Sequence, residues 1–300
     1  MLVWKVTRNT VIFLLVIIFF ILILLLPKEM EMEGLGGLRF QANYPFTLEL
    51  YEKNITEFIS HFQTEKGFGT TKAGMPLTEH MRGFLKRSLK VIIPSFLISM
   101  GFGTAFGVLL FYIRNKRRGR VFSFLSWMLT SIPDFFLFIS VQYGLIVAMK
   151  NGFPKFNLYS GDDWYSFILP CLSLTLFPLF HMVKVTAVAM ENEAGEEYVQ
   201  TALSKGMSRG RVVMHIFWNA WSTIVNQSQM VMLYILSSLP IIEKLANYNG
   251  AGYQLLESIL KNDAILSLLF FLPFLFLMYV IVMLAQLARG WLLPKDVGSI

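Results

Sequence analysis

The sequence predicts an all-α integral membrane protein: six transmembrane helices in one bundle, with an external insert after the first helix. Three observations carry that prediction. Only 15% of the 300 residues are charged and 55% are hydrophobic, against about 25% charged in a soluble domain, so the chain lacks the side chains to cover a water-facing globule of its size. Mean hydropathy is +0.57. Apolar runs long enough to enter a bilayer are spread from one terminus to the other. These features argue against a soluble enzyme. The length would allow two domains of about 150 residues, but the spread of apolar runs favours a single membrane body. The lone Cys171 has no partner in the chain, which excludes an intrachain disulfide framework and a multi-Cys metal site.

Residues 1–26 form the N-terminal cytoplasmic end and the first span. The run from Thr10 to Leu26 is unbroken and apolar, and at about 1.5 Å per residue it crosses most of a hydrocarbon core about 30 Å thick. Lys5 and Arg8 imitate a signal peptide, but Pro27, Lys28, Glu29 and Met30 follow without a small-residue cleavage pattern. An uncleaved anchor is expected. Residues 27–87 form an extracytoplasmic subdomain, too polar for lipid and long for a connection. In it Gly67-Phe68-Gly69-Thr70-Thr71 reads as a turn, and Pro76 to Arg87 as an amphipathic helix whose Lys and Arg snorkel toward headgroups.

Residues 88–300 form a five-helix core with spans at Val91 to Ile113, Val121 to Met149, Tyr165 to Met190, Trp221 to Ile242 and Ala264 to Leu287. Each is expected to be helical, because lipid offers no partner for backbone polar groups. Gly103 and Gly107 form a GxxxG pair with Gly101 nearby, which lets a second helix approach closely. Pro94, Pro133, Pro170, Pro178, Pro240 and Pro273 each bend or break a helix, as suits a bundle that must move. Lys and Arg divide evenly, 13 to each side. Long loops count for little in setting orientation, so the short basic run at 114–120 decides it and puts both termini in the cytoplasm.

The cytoplasmic loop, 190–220, is longer than a plain connection between bundled helices. Glu196 and Glu197 at its start and Lys205 at its end complement a helix dipole, and Gly206 suits a left-handed helix end. Tyr198, Val199, Ala202 and Leu203 fall on one face, while Thr201 lies among the polar positions. Ser208 is placed to cap a second helix re-entering the membrane. The pattern predicts a docking helix that offers its apolar face to a groove in a cytoplasmic protein.

Glu197-Tyr198-Val199-x-Thr201-Ala202-x-x-Lys205-Gly206, followed by Arg211-Val212 and Asn219-Ala220, resembles the coupling loop of the membrane permeases of binding-protein-dependent ABC importers, in their oligopeptide, dipeptide and nickel branch. Glu243 through Gly250 and Gly252, then Ile259-Leu260-x-x-Asp263, resembles that family's external loop before the last span. The resemblance covers about residues 66–288. The sequence departs from the family at Lys28-Glu29-Met30-Glu31, Ala187, Thr223 and Tyr248-Asn249-Gly250, while the coupling loop is intact.

The resemblance implies an ABC importer permease-type bundle in the cell (inner or plasma) membrane, for peptides or nickel and other metal chelates. It implies a paralogous permease subunit in a heterodimer, two cytoplasmic ABC ATPase subunits carrying ATP and Mg, and an extracytoplasmic substrate-binding protein. It also assigns ATPase coupling to Glu196, Glu197, Tyr198, Val199, Thr201, Ala202, Leu203, Lys205 and Gly206, and an external gate to Glu243, Gly250, Gly252 and Asp263. Membrane lipid is a partner and nucleic acid is not. No Gly is followed by Lys, so the chain has no Walker A loop, and no Gly-x-Ser-x-Gly or His-Glu-x-x-His occurs. The chain is expected to be a non-catalytic subunit with no cofactor of its own.

Asp134 is the acid expected within a span, in the translocation path. It meets a substrate amino group or a metal ion, or it is a protonated or paired helix contact beside Pro133. His181 and Lys184 read as packing or headgroup contacts, and the four His residues, 61, 80, 181 and 215, have no metal-site spacing. A reading from another class is a non-transporting membrane scaffold or sensor that docks a cytoplasmic effector.

Overall fold

A computed structural model gives the structure of the chain and describes residues 2–28, 31–34, 40–43, 46–71, 73–114, 116–154 and 163–292. Asn115 of the basic run, parts of the external segment and the 155–162 connection lie outside them. Helices make up nearly all of the described chain. They are α1 (Leu2–Leu24), α2 (Leu48–Glu65), α3 (Leu77–Ile113), α4 (Arg117–Ser131), α5 (Asp134–Lys150), α6 (Ile168–Ala194), α7 (Glu197–Ser204), α8 (Arg209–Asn226), α9 (Ser228–Leu245), α10 (Ala251–Leu260) and α11 (Ala264–Leu292). The exception is an antiparallel pair, β1 (Glu31–Gly34) and β2 (Phe40–Asn43), registered Glu31 to Asn43 and Gly34 to Phe40. These strands are too short to declare themselves by alternation.

Among the described residues four helical stretches are long and apolar enough to cross a membrane alone: Val6–Leu24, Leu77–Ile113, Ile168–Ala194 and Ala264–Arg289. The helices α4 and α5 pass the same test only as a pair, and they meet at a bend of 98°. The third span is therefore not one helix. Ile132 precedes a proline and takes an extended conformation (φ −89°, ψ 128°), and Pro133 supplies no N–H to continue the ladder. The fifth expected span, Trp221 to Ile242, falls across the end of α8 and α9. Ser228, Gln229, Ser237 and Ser238 lower its apolarity, and among the described residues length and composition give four spans, or five with α4 and α5 taken as one. Of the other prolines, Pro94, Pro178, Pro240 and Pro273 sit inside continuous helices, and Pro170 occupies the first turn of α6.

The chain forms two compact units: Met1–Lys86 with Gly250–Phe276, and Arg87–Asn249 with Leu277–Ile300. In the first, α2 is tied to the end of α1, where Tyr51 Oη donates to Leu22 O at 3.1 Å and Asn54 Nδ2 to Leu25 O at 3.2 Å. Phe20 stacks on Phe271 with centroids 3.6 Å apart. The 67–71 turn follows a left-handed residue, Lys66 (φ 50°), and the His61 ring faces Phe68 O at 3.3 Å.

In the second unit α6 packs against α4, α5, α8 and α9. It also lies against α3 along a stripe of small residues four apart. Ser95 Oγ donates to Cys171 O at 3.1 Å and Ser99 Oγ to Thr175 O at 3.2 Å. Gly103 and Gly107 continue the stripe against Met182 and Thr186. Side chains of this size let two backbones approach and exchange hydrogen bonds where lipid cannot supply them. Gly101, grouped with the glycine pair from the sequence, faces open space instead.

Candidate functional site

The coupling segment is built by two long helices that stop short of each other. The α6 helix ends at Gly195, α7 spans two turns, and Gly206 (φ 76°) turns the chain into α8. Ser208 occupies the N-cap position of α8, as its type suggests, but makes no side-chain capping bond. Val199 is buried, Tyr198 and Ala202 are half-buried, and α7 packs on α8. Tyr198 Oη donates to Glu193 Oε2 at 3.1 Å, and the side chain of Asn219 favours the ionised phenol. Burial raises the Tyr198 pKa, with Glu193 and Glu196 adding to the shift and Asn219 opposing it.

Within the chain, Val199 is buried, and Tyr198 and Ala202 are half-buried. They hold α7 to its own chain, because an eight-residue helix cannot keep its place without burying an apolar face. The outward side includes Glu196, Glu197, Thr201, Lys205 and Leu203, the last 51% exposed. Glu193 and Asn219 are the supporting residues that sequence reading missed. Asn219 belonged to a quoted motif, but only the fold brings it to Tyr198.

The basic run lies at the same end of the second unit as α7. Arg114, just past α3, pairs with Glu191 near the end of α6 at 2.6 Å, and its guanidinium stands 5.0 Å from the Phe111 ring centroid.

The external-loop residues divide between the units. In the second unit Glu243 is fully buried in α9 and accepts a hydrogen bond from Ser88 Oγ at 2.6 Å. Beside it Tyr248 Oη donates to Arg87 O at 3.2 Å, and Arg87 Nη1 donates to Asn249 O at 3.3 Å. In the first unit Gly250 stands at the N-cap of α10, Gly252 is buried within it, and Asp263 Oδ1 accepts from Leu266 N at 2.9 Å, capping α11.

Burial, then the Glu243 charge, pushes the Tyr248 pKa up to about 12, with Arg87 opposing. A phenol raised above its unfolded value of 10.0 stabilises the fold fully below pH about 10, and that contribution is lost as pH rises through about 12. About 2–3 kcal/mol is at stake. In ultraviolet difference titrations, Tyr248→Phe should remove one phenolate that appears near pH 12. Loss of a phenolate near pH 10 would contradict the burial.

Asp134 begins α5 rather than sitting inside a helix. It is half-exposed, and its Oδ1 accepts from the Phe135 amide at 2.9 Å. The acid expected mid-helix thus lies at a favourable helix N-terminus, and the fully buried acid is Glu243. A cleft of about 250 Å³ opens beside Asp134, walled by Thr130, Ser173, Phe177 and Tyr234 among others. Lys184 Nζ donates to Thr130 Oγ1 at 2.6 Å, and His181 Nε2 lies 3.3 Å from Gln227 Oε1 with its ring against Tyr234. Both residues therefore join α6 to neighbouring helices. Among the described residues no three His, Cys, Asp or Glu side chains are grouped to hold a metal ion.

Comparison with known proteins adds a family match. The profile of a family described as binding-protein-dependent transport system inner membrane component matches residues 100–295. A peptide transport system permease protein of Brucella abortus is 26% identical over 226 residues, covering 73% of this chain and 71% of that protein. A glutathione transport system permease protein of Salmonella typhi is 27% identical over 208 residues, covering 69% of this chain and 66% of that protein.

Proposed function

Because this chain belongs to the binding-protein-dependent transport system inner membrane component family, we propose that it is the membrane-spanning subunit of an ATP-driven importer of peptides. A peptide cargo is favoured over nickel chelates by the names of its relatives, which refer to peptide and glutathione transport. The assembly would contain a paralogous permease, two cytoplasmic ATPases that bind ATP and Mg, and an external binding protein. The N- and C-termini face the cytoplasm, an orientation supported by the basic run beside α7.

The observation that carries this reading is α7. It is a two-turn helix braced between α6 and α8 through Val199, Tyr198, Glu193 and Asn219, with a charged outer side around Leu203. Such a helix is a rigid handle. Closure of the ATPase pair pushes on its outer side, α6 and α8 carry the displacement into the bundle, and the path alternates between its two openings. Transport then requires differential contact of the ATPases with α7 in their open and closed states.

Leu203→Glu tests this without disturbing the core. A charge placed in a buried contact costs roughly 2 kcal/mol or more, so ATP-driven peptide uptake by the reconstituted complex should fall about tenfold or more while the melting temperature of the purified permease stays unchanged. Gly206→Val should uncouple hydrolysis from uptake as well, because a β-branched residue at φ 76° re-aims the end of α7. Full coupled uptake in both variants would refute the role of α7 as the handle, whereas absence of ATP-driven uptake by the natural complex would leave the scaffold reading.

A further inference from the structure

The cleft beside the α4–α5 break has chemistry that helix packing does not use. One oxygen of Asp134 accepts from the Phe135 amide, and the other remains. Among the described residues no cation lies within ion-pair distance of this carboxylate. Lys184, the cation of the neighbouring α6, is spent on Thr130 Oγ1 at 2.6 Å. Around the cleft stand the hydroxyls of Thr130, Ser131, Tyr234 and Ser238, and the rings of Phe177 and Tyr234 meet edge-to-face at 4.6 Å.

An anion fits poorly here. Pro133 has no N–H, and the Asp134 carboxylate takes the Phe135 amide of the helix N-terminus and repels an anion. A divalent metal would keep an uncompensated positive charge beside a single carboxylate, and hydroxyl groups are weak ligands for it. A protonated amine fits on each count. It is monovalent, it has three donors and no acceptor, and it is attracted to aromatic faces. At about 250 Å³ the cleft is smaller than ordinary ligand pockets, so it takes one end of a substrate rather than the whole.

Building on the permease reading, we propose that this cleft receives the free N-terminal ammonium of a peptide on its way through the membrane. Asp134 provides the countercharge, the hydroxyl oxygens accept the remaining N–H groups, and Lys184 behind Thr130 marks the limit beyond which the guest would meet a like charge.

The test uses the permease assembled with its partner permease and ATPases, without the binding protein. Equilibrium dialysis compares alanyl-alanine, its N-acetyl derivative and its C-terminal amide. The free and amidated dipeptides should bind at least tenfold more tightly than the acetylated one. Asp134→Asn should reduce that ratio to within about twofold without weakening binding of the acetylated peptide, and Asp134→Glu should restore part of it. Equal binding of all three to the natural complex overturns the proposal, as does a preference for the free amine that survives Asp134→Asn. If Asp134→Asn binds nothing, partial recovery of the preference in Asp134→Glu upholds the proposal, and none overturns it. ATP-driven uptake of alanyl-alanine with the binding protein restored is scored separately: its absence overturns the permease reading and this proposal with it, whereas uptake without amine preference sinks this proposal alone.

Discussion

Gly107→Val is expected to break the packing of α3 on α6 and eliminate folded, transport-active protein, while Gly101→Val leaves both almost untouched. A Cβ at Gly107 would lie 2.5 Å from the Thr186 Cβ and 2.8 Å from the Val183 carbonyl oxygen, and one at Gly103 would lie 2.5 Å from the Met182 Cβ and 2.9 Å from Leu179 O. The obstacles are backbone and first side-chain atoms, which cannot swing away, so relief requires the helices to separate. Separation also lengthens the Ser95 and Ser99 hydrogen bonds to α6 carbonyls. Overpacking alone costs about 1–3 kcal/mol, and each polar group left unpaired in an apolar setting adds about 1–3 kcal/mol. At Gly101 nothing lies within 4 Å, so the same substitution meets only the helix's own preferences, a few tenths of a kcal/mol. Melting of the detergent-solubilised protein and the yield of monodisperse material separate the two variants. Equal melting temperatures would mean that α3 and α6 do not pack along this stripe.

The contrast between Gly101 and Gly107 shows what a sequence can and cannot disclose. A GxxxG spacing announces a close approach but not which neighbouring glycine shares the face, and the full period-four run that includes Ser95 and Ser99 was readable only by counting on from Gly103. Span identity is legible because long apolar runs have one solution in lipid. Span shape is less so: six prolines looked alike, and only Pro133, whose predecessor is extended, breaks its helix. In the coupling segment the turns were legible from Gly206 and Ser208. The direction of its apolar face was not, because an amphipathic pattern is satisfied equally by a partner or by the chain's own α8. The placement of the acids reversed for a similar reason. Asp134 looked buried by its position in an apolar run and lies at a helix start, whereas Glu243 looked like a loop residue and is fully enclosed.

That enclosure makes Glu243→Ala the second substitution with a large expected effect. The carboxylate accepts a hydrogen bond from Ser88 Oγ at 2.6 Å, the short distance of a charge-assisted bond, and Ser88 is itself fully buried. The backbone carbonyl of Glu243 also accepts from Tyr248 N at 2.9 Å, and Tyr248 reaches Arg87 O. Glu243 therefore joins α3, the end of α9 and the start of the external loop. Alanine removes the acceptor of the Ser88 bond and leaves a void, at a cost of about 2–5 kcal/mol. Glutamine keeps the shape and an acceptor and should cost about 1 kcal/mol. The two variants share a second signature. Because the Glu243 charge is the second cause of the raised Tyr248 pKa, both Ala and Gln should lower the Tyr248 transition from about 12 toward 10, although only Ala destabilises strongly. A neutral substitution that moves the phenol without melting the protein isolates the electrostatic contribution from the packing one. Were Glu243→Gln to leave the phenolate titration in place, the Glu243 charge would not act on Tyr248, and burial alone would hold its pKa up.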